Sequence, residues 1–211
     1  MENLNQLYEA ILKGNLPLAT DVTRKAIEEK IEPQIIINDY MSKAMEEIGR
    51  RFEEGKAFVP ELLMSARAMK GALELLKPLL AGNNLSRLGI VVIGTVKGDL
   101  HDIGKNLVAS MLEGCGFEVI NLGVDIPADK FLQSVVDNKA NILCLSALLT
   151  TTMNYMREVI STFEEAGIRD QVKIMIGGAP ITSGFAQEIR ADGYSGNANA
   201  AVTLAKQLIA S

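Results

Sequence analysis

Residues 1–82 carry apolar positions at helical spacing. Gly14, the Glu32-Pro33 step and Gly55 divide them into four segments, near 3–13, 17–31, 33–54 and 60–81. In the third, Ile36, Ile37, Tyr40, Met41, Ala44, Ile48 and Phe52 form the stripe of an amphipathic helix. The fourth opens on Pro60 and Glu61, a favourable first turn, and repeats Leu62, Leu63, Ala66, Met69, Leu73 and Leu76. Pro78 is expected to bend or end its last turn. Four such segments with short connections predict an up-and-down helical bundle. GNNLSR (82–87) reads as a polar linker, so the expected organisation is a helical domain at 1–82, a linker at 83–87 and a second domain at 88–211.

Beyond the linker the period changes. LGIVVIGTV (88–96) is a continuous apolar run, as expected of a strand buried on both faces. FEVINLG (117–123), NILCLSAL (141–148), VKIMIGG (172–178) and a short strand around Gly193 and Tyr194 follow. Helical stretches near 104–114, 128–138, 152–166, 183–191 and 198–210 alternate with them. The alternation predicts an α/β domain with a five-stranded parallel sheet and helices on both faces. Ligands of such sheets bind beyond the carboxyl ends of the strands. The loops at 97–104, 123–127, 146–152 and 177–183 should therefore share one edge.

Composition narrows the class. The chain has 211 residues, 48% hydrophobic, with a net charge of −5. That balance is ordinary for a cytoplasmic protein and argues against nucleic acid, which calls for a basic patch. No apolar run reaches the roughly 20 residues of a membrane span, and the polar start MENLNQLYEA is not expected to be a secretory signal. Cys115 and Cys144 are expected to be reduced. With one histidine, they offer too few soft ligands for tetrahedral zinc.

The candidate chemistry lies in KGDLHDIGKN, after the first strand. Gly94, Gly98 and Gly104 give this stretch freedom for tight turns. His101, with Asp99 two residues earlier, suits a metal ligand. One ring nitrogen can face a metal while the other donates to the carboxylate, which fixes the tautomer. Asp102 is placed to cap the following helix. Other readings of the same residues are a surface histidine, a His–Asp general-base pair or a phosphate cradle. The spacing is neither G-x-G-x-x-G nor G-x-x-x-x-G-K-[ST], and a phosphate gains nothing from two aspartates.

GDLHDIG matches the D-x-H-x-x-G motif of the cobalamin-binding domains of methionine synthase, B12-dependent mutases and small corrinoid methyltransferase subunits. NLGVDIP (121–127), Ser146-Ala147-Leu148 and Gly177-Gly178 before Ala179 match further elements in the same order. The second domain thus resembles a Rossmann-like, flavodoxin-like B12-binding domain. RRFEEGKAFVPELLMSARAMKGA (50–72) resembles the helical cap of methionine synthase and of small corrinoid proteins, which mutases lack.

The resemblance implies a cobalamin or related corrinoid whose cobalt takes His101 as its lower axial ligand. Asp99 would be the hydrogen-bond partner of His101, and Thr152, where methionine synthase has serine, would extend the relay. Ser146 and Thr150 would contact the displaced nucleotide tail, and Gly104 would let the corrin edge and tail approach. Gly177 and Gly178 would line the tail's slot, and Asp102, Ile103 and Leu148 complete the binding set. Phe52 and Val59 align with apolar residues that shield the methyl group of methylcobalamin, although methionine synthase has leucine in place of Val59. The implied function is a methyl carrier cycling between Co(I) and methyl-Co(III). It would be served by a substrate-specific methyltransferase, an acceptor methyltransferase (with a tetrahydrofolate or thiol acceptor) and a reductive activase. The alternative is a B12-dependent sensor, which usually carries a further DNA-binding or signalling domain. The methyl donor, whether methanol, a methylamine, a betaine or an aromatic methyl ether, is left open.

Overall fold

The computed structural model describes residues 2–80 and 88–210. The expected linker at 83–87 lies outside the described residues. The chain forms two compact units, one of residues 1–87 with 113–116 and one of residues 88–112 with 117–211.

The helical unit holds α1 (Glu2–Leu12), α2 (Leu16–Glu28), α3 (Pro33–Ile35), a π-helical stretch (Ile36–Met41), α4 (Ser42–Glu53) and α5 (Val59–Leu80). Helix α1 packs on α2 and α4, and both of those pack on α5. Leu7, Ile11, Ile36, Met41, Leu62, Met69 and Leu76 are fully buried. The single helix expected over 33–54 is interrupted by the π turn. The wider turn brings Ile36 and Met41, five residues apart, into the core together, whereas a regular α-helix aligns residues three and four apart. Pro78 does not end α5, which runs on to Leu80. At its other end the Glu61 carboxylate accepts the Phe58 N–H at 2.8 Å, one half of a capping box.

The second unit is a five-stranded, wholly parallel sheet of order β2-β1-β3-β4-β5. Its strands are β1 (Ile90–Thr95), β2 (Glu118–Asn121), β3 (Ile142–Ser146), β4 (Lys173–Gly177) and β5 (Gly193–Ser195). The helices are α6 (Ile103–Gly114), α7 (Ala128–Asn138), α8 (Thr150–Met153), α9 (Tyr155–Glu165), α10 (Ser183–Glu188) and α11 (Ala198–Ala210). This is the Rossmann-like, flavodoxin-like arrangement. Its chain order reverses beside β1, so the crevice between the ends of β1 and β3 is the usual ligand position.

Every residue of β1 is buried, as its unbroken apolar run requires. Val92, Leu143, Leu145, Ile174 and Ile176 share a core with Phe131 and Val135 of α7 and Val159 and Phe163 of α9. Gly94 belongs to the strand and not to the loop. A Cβ there would stand 2.6 Å from the Phe131 ring, so this glycine makes room for core packing. No helix among the described residues is long and apolar enough to cross a membrane. No disulfide joins the two buried cysteines, and burial pushes the Cys144 thiol up.

Candidate functional site at the strand ends

Strand β1 stops where apolar residues give way to Lys97, Gly98 and Asp99. Gly98 turns the chain with φ +82°, a conformation L side chains rarely adopt. The turn buries the Asp99 side chain completely. A buried carboxylate needs donors on both oxygens, and Asp99 has them. Its Oδ1 accepts the His101 backbone N–H at 3.0 Å and lies 2.7 Å from the ring Nδ1 of His101. Its Oδ2 accepts the Leu148 N–H at 2.7 Å, the Leu149 N–H at 3.3 Å and the Thr152 hydroxyl at 2.7 Å. Burial alone raises its pKa. The backbone donations of His101 and Leu148, with the Thr152 hydroxyl and the His101 ring, outweigh burial and hold the carboxyl well below the usual carboxylate range.

An ionised carboxylate only accepts, so the His101 ring carries a proton on Nδ1, which leaves Nε2 as the nitrogen that a neutral ring offers as a lone-pair donor. The His101 side chain is 51% exposed beside a fully buried partner. The ring is thus held from one side and open on the other. Such a nitrogen can coordinate a metal. Thr95, itself buried, donates its hydroxyl to the His101 carbonyl at 2.8 Å and fixes the backbone that bears the ring.

The other expected residues of this unit lie at the ends of its strands or just beyond them. Leu100 (72% exposed) and Ile103 (87%), which flank His101 and Asp102 in the chain, and Leu148 and Leu149, whose amides reach Asp99, present apolar surface to solvent. A Cβ on Gly104 would meet nothing within 4 Å, so the space above it is open. Ser146 is half-buried in register between Thr95 and Gly177. Thr150 is exposed at the start of α8. Gly178 has a reason of its own within the fold. At φ +134° its Cβ would stand 1.8 Å from the Ala147 carbonyl, so β3 and β4 could not end this close together around any other residue. Asp102 directly precedes α6, where its side chain accepts from Asn106 Nδ2 at 2.9 Å and its carbonyl accepts the Asn106 N–H at 2.8 Å. Phe52 is half-buried in the last turn of α4, and Val59, 41% exposed, opens α5 beside Phe58, 67% exposed.

Several participants were not foreseen from the sequence. Thr95, the Leu148 and Leu149 amides and Lys105 are among them. The only available signal for Thr95 was a hydroxyl at the end of an otherwise apolar strand. Lys105, almost wholly buried, donates to Asn106 Oδ1 at 2.6 Å and Asn121 Oδ1 at 2.7 Å; burial pushes its ammonium down against the pull of Asp102.

Known proteins point to the same chemistry. Two family models match, each described as a B12 binding domain, one over residues 89–203 and the other over residues 4–77. The dimethylamine corrinoid protein of Methanosarcina barkeri is 43% identical over 99% of this chain and 98% of its own length. A corrinoid protein of Desulfitobacterium hafniense is 38% identical over 99% of this chain and 98% of its own. Among solved structures, a cobalamin-binding protein from Desulfitobacterium hafniense superposes with a TM-score of 0.83 at 31% identity, covering 97% of this chain and 98% of that one. A chain of the methanol:cobalamin methyltransferase complex from Methanosarcina barkeri gives a TM-score of 0.83 at 33% identity, covering 99% of this chain and 80% of that one. With a corrinoid as the group to be held, the oriented imidazole, the exposed apolar residues of these loops and the open space at Gly104 fit its cobalt, its ring and its edge. The chain belongs to the small corrinoid proteins, the family that carries these two B12 binding domains.

Proposed function

We propose that this protein carries methyl groups within a corrinoid-dependent methyltransferase system, with His101 as the lower axial ligand of the cobalt. A dimethylamine corrinoid protein and a methanol:cobalamin methyltransferase complex among the similar proteins support the carrier role. The observation that carries the ligand assignment is the Asp99–His101 pair, a buried carboxylate 2.7 Å from the Nδ1 of a half-exposed ring.

A bound corrinoid would supply a cobalt centre that accepts a methyl group from one substrate and yields it to another. The protein's share is binding, orientation and exclusion of side reactions. Asp99 keeps the proton on His101 Nδ1, so that Nε2 offers its lone pair. Were the ring to leave the metal and take up a proton on Nε2, the same carboxylate would balance the imidazolium, and the Thr152 hydroxyl that donates to it would share the charge. Ser146, Thr150, Gly104, Gly177 and Gly178 are proposed to receive the nucleotide tail, and Asp102, Ile103 and Leu148 the ring's edge. Phe52 and Val59 keep the shielding role that the resemblance implies, because a reactive low-valent cobalt needs a dry, apolar cover. The proposed partners are a substrate-specific methyltransferase, an acceptor methyltransferase working on tetrahydrofolate or a thiol, and a reductive activase.

His101 is the chain's only histidine, which makes the test direct. The apoprotein is reconstituted with cob(II)alamin and examined by electron paramagnetic resonance, with and without 15N-labelled histidine. Coordination by His101 turns the triplet nitrogen splitting into doublets on labelling, and His101→Ala abolishes it. A splitting that ignores the label, or persists in His101→Ala, overturns the assignment.

A further inference from the structure

The loop after β2 reaches back to the ligand loop through one side chain. Asp125 has φ +56°, a conformation that glycine adopts at less cost and that aspartate tolerates better than most residues. What aspartate adds over glycine is an acceptor, and the structure uses it. Gly98 N–H donates to Asp125 Oδ1 at 2.7 Å, while Asp125 N–H donates to the Asp99 carbonyl at 3.1 Å. Asp125 thus grips two consecutive residues, Gly98 27 positions away and Asp99 beside it, that lead directly to His101. Gly98 is the freest joint of that stretch, with φ +82° and no side chain.

The mooring of Asp125 does not depend on its carboxylate. Thr95 N–H donates to the Gly123 carbonyl and Ile126 N–H to the Thr95 carbonyl, both at 3.0 Å, and Val96 bridges to Ile126. The Asp99 side chain is fixed from the β3 side by Leu148, Leu149 and Thr152. The Asp125 carboxylate supplies the opposing restraint on the backbone.

We infer that Asp125 is a positioning residue that braces the Gly98–Asp99 turn and so presents His101 to the cobalt in a ready-made orientation. This rests on His101 being the lower ligand. Loss of the acceptor frees Gly98 and lowers the ratio of coordinated to released ring by roughly three- to tenfold, the net worth of one ordinary hydrogen bond, because this pair is exposed and water weakens the advantage of a charged acceptor.

Three holoproteins test it: wild type, Asp125→Gly, which suits the backbone but lacks the acceptor, and Asp125→Asn, which keeps both the conformation and a carbonyl acceptor. Each is reconstituted with cob(II)alamin, and the histidine nitrogen splitting is followed as pH is lowered until the ring is released. Expected is release at a pH higher by roughly half to one unit in Asp125→Gly, the same ratio on a logarithmic scale, with Asp125→Asn close to wild type. In the apoproteins, exchange of the Gly98 amide should quicken by roughly the same three- to tenfold in Asp125→Gly alone. An Asp125→Gly protein matching wild type in both readouts overturns the inference, as does an Asp125→Asn protein that falls as far as Asp125→Gly. Absence of histidine splitting in the wild type overturns the ligand assignment itself and the presenting role with it, while the Gly98 exchange still decides whether the brace exists.

Discussion

In the helical unit the ion pairs Lys13–Glu9 and Lys43–Asp39 join residues four positions apart, with every partner more than half exposed. Such pairs contribute only about 0.2–0.5 kcal/mol each. The unit's fully buried hydroxyls are modest in number and bond to backbone carbonyls, Ser65 to Leu12 and Thr23 to Ala19. In the α/β unit the polar groups that matter are remote in sequence, and the central one, Asp99, is buried. Asp99 gathers Leu148 and Thr152 from 49 and 53 residues away, and Gly98 bonds to Asp125. The first unit is held by apolar burial and leaves its charges free to vary. The second commits polar groups to the position of one loop. A fold can be stable without such a commitment, but an imidazole in the ligand role proposed for His101 cannot be left to find its own orientation.

The largest expected effect tests that contrast at its centre. Asp99→Ala leaves the Leu148 and Thr152 donors without their acceptor and should cost about 3–5 kcal/mol in urea unfolding of the apoprotein. His101→Ala, with a half-exposed ring, should cost less than about 1 kcal/mol while losing the cobalt signal. Equal stability losses in the two variants would break the contrast. Thr152→Val keeps the shape but not the hydroxyl, and is expected to lose about 1.5–3 kcal/mol, the range for a hydrogen bond to a charged group. A thermal or urea midpoint equal to wild type would remove Thr152 from the relay.

Smaller and opposite in sign is Gly104→Ala. Its Cβ would enter open space in α6, where alanine favours helix by about 0.5–1 kcal/mol, so the apoprotein should gain stability. Corrinoid affinity, measured by calorimetric titration, should fall. Unchanged affinity would mean that the open space at Gly104 is not ligand space. Smallest is Lys43→Ala, whose unfolding midpoint should move by no more than about 0.5 kcal/mol. A larger loss would show that the helical unit also depends on its charges.

Much of this was legible before any coordinates. The parallel sheet could be read because β1, β3 and β4 are apolar runs of strand length, and the bundle because its stripes repeat at helical spacing. The π turn was not, since an inward pair five residues apart looks like imperfect helical spacing until Ile36 and Met41 are seen in one core. Gly94 was misread as loop because a glycine kept for a neighbouring ring has the same sequence signature as a glycine kept for a turn.

At the site, Asp99 and His101 stood out because two residues in a loop need no fold to meet. Thr152 came only through resemblance. Thr95, the Leu148 amide and Asp125 carried no clear signal, because their roles depend on which strands neighbour β1 and in what register.

The sequence by itself determined the order of elements, the two-part architecture and the one imidazole available to a metal, all properties of local period and residue type. Only the tertiary structure decided that this imidazole is oriented. The parallel pairing of β1 with β3 brings the amides and hydroxyl after β3 onto the Asp99 carboxylate. The β2–α7 loop closes the turn from the opposite side. Burial strengthens the bonds to Asp99 by removing the water that would compete for them.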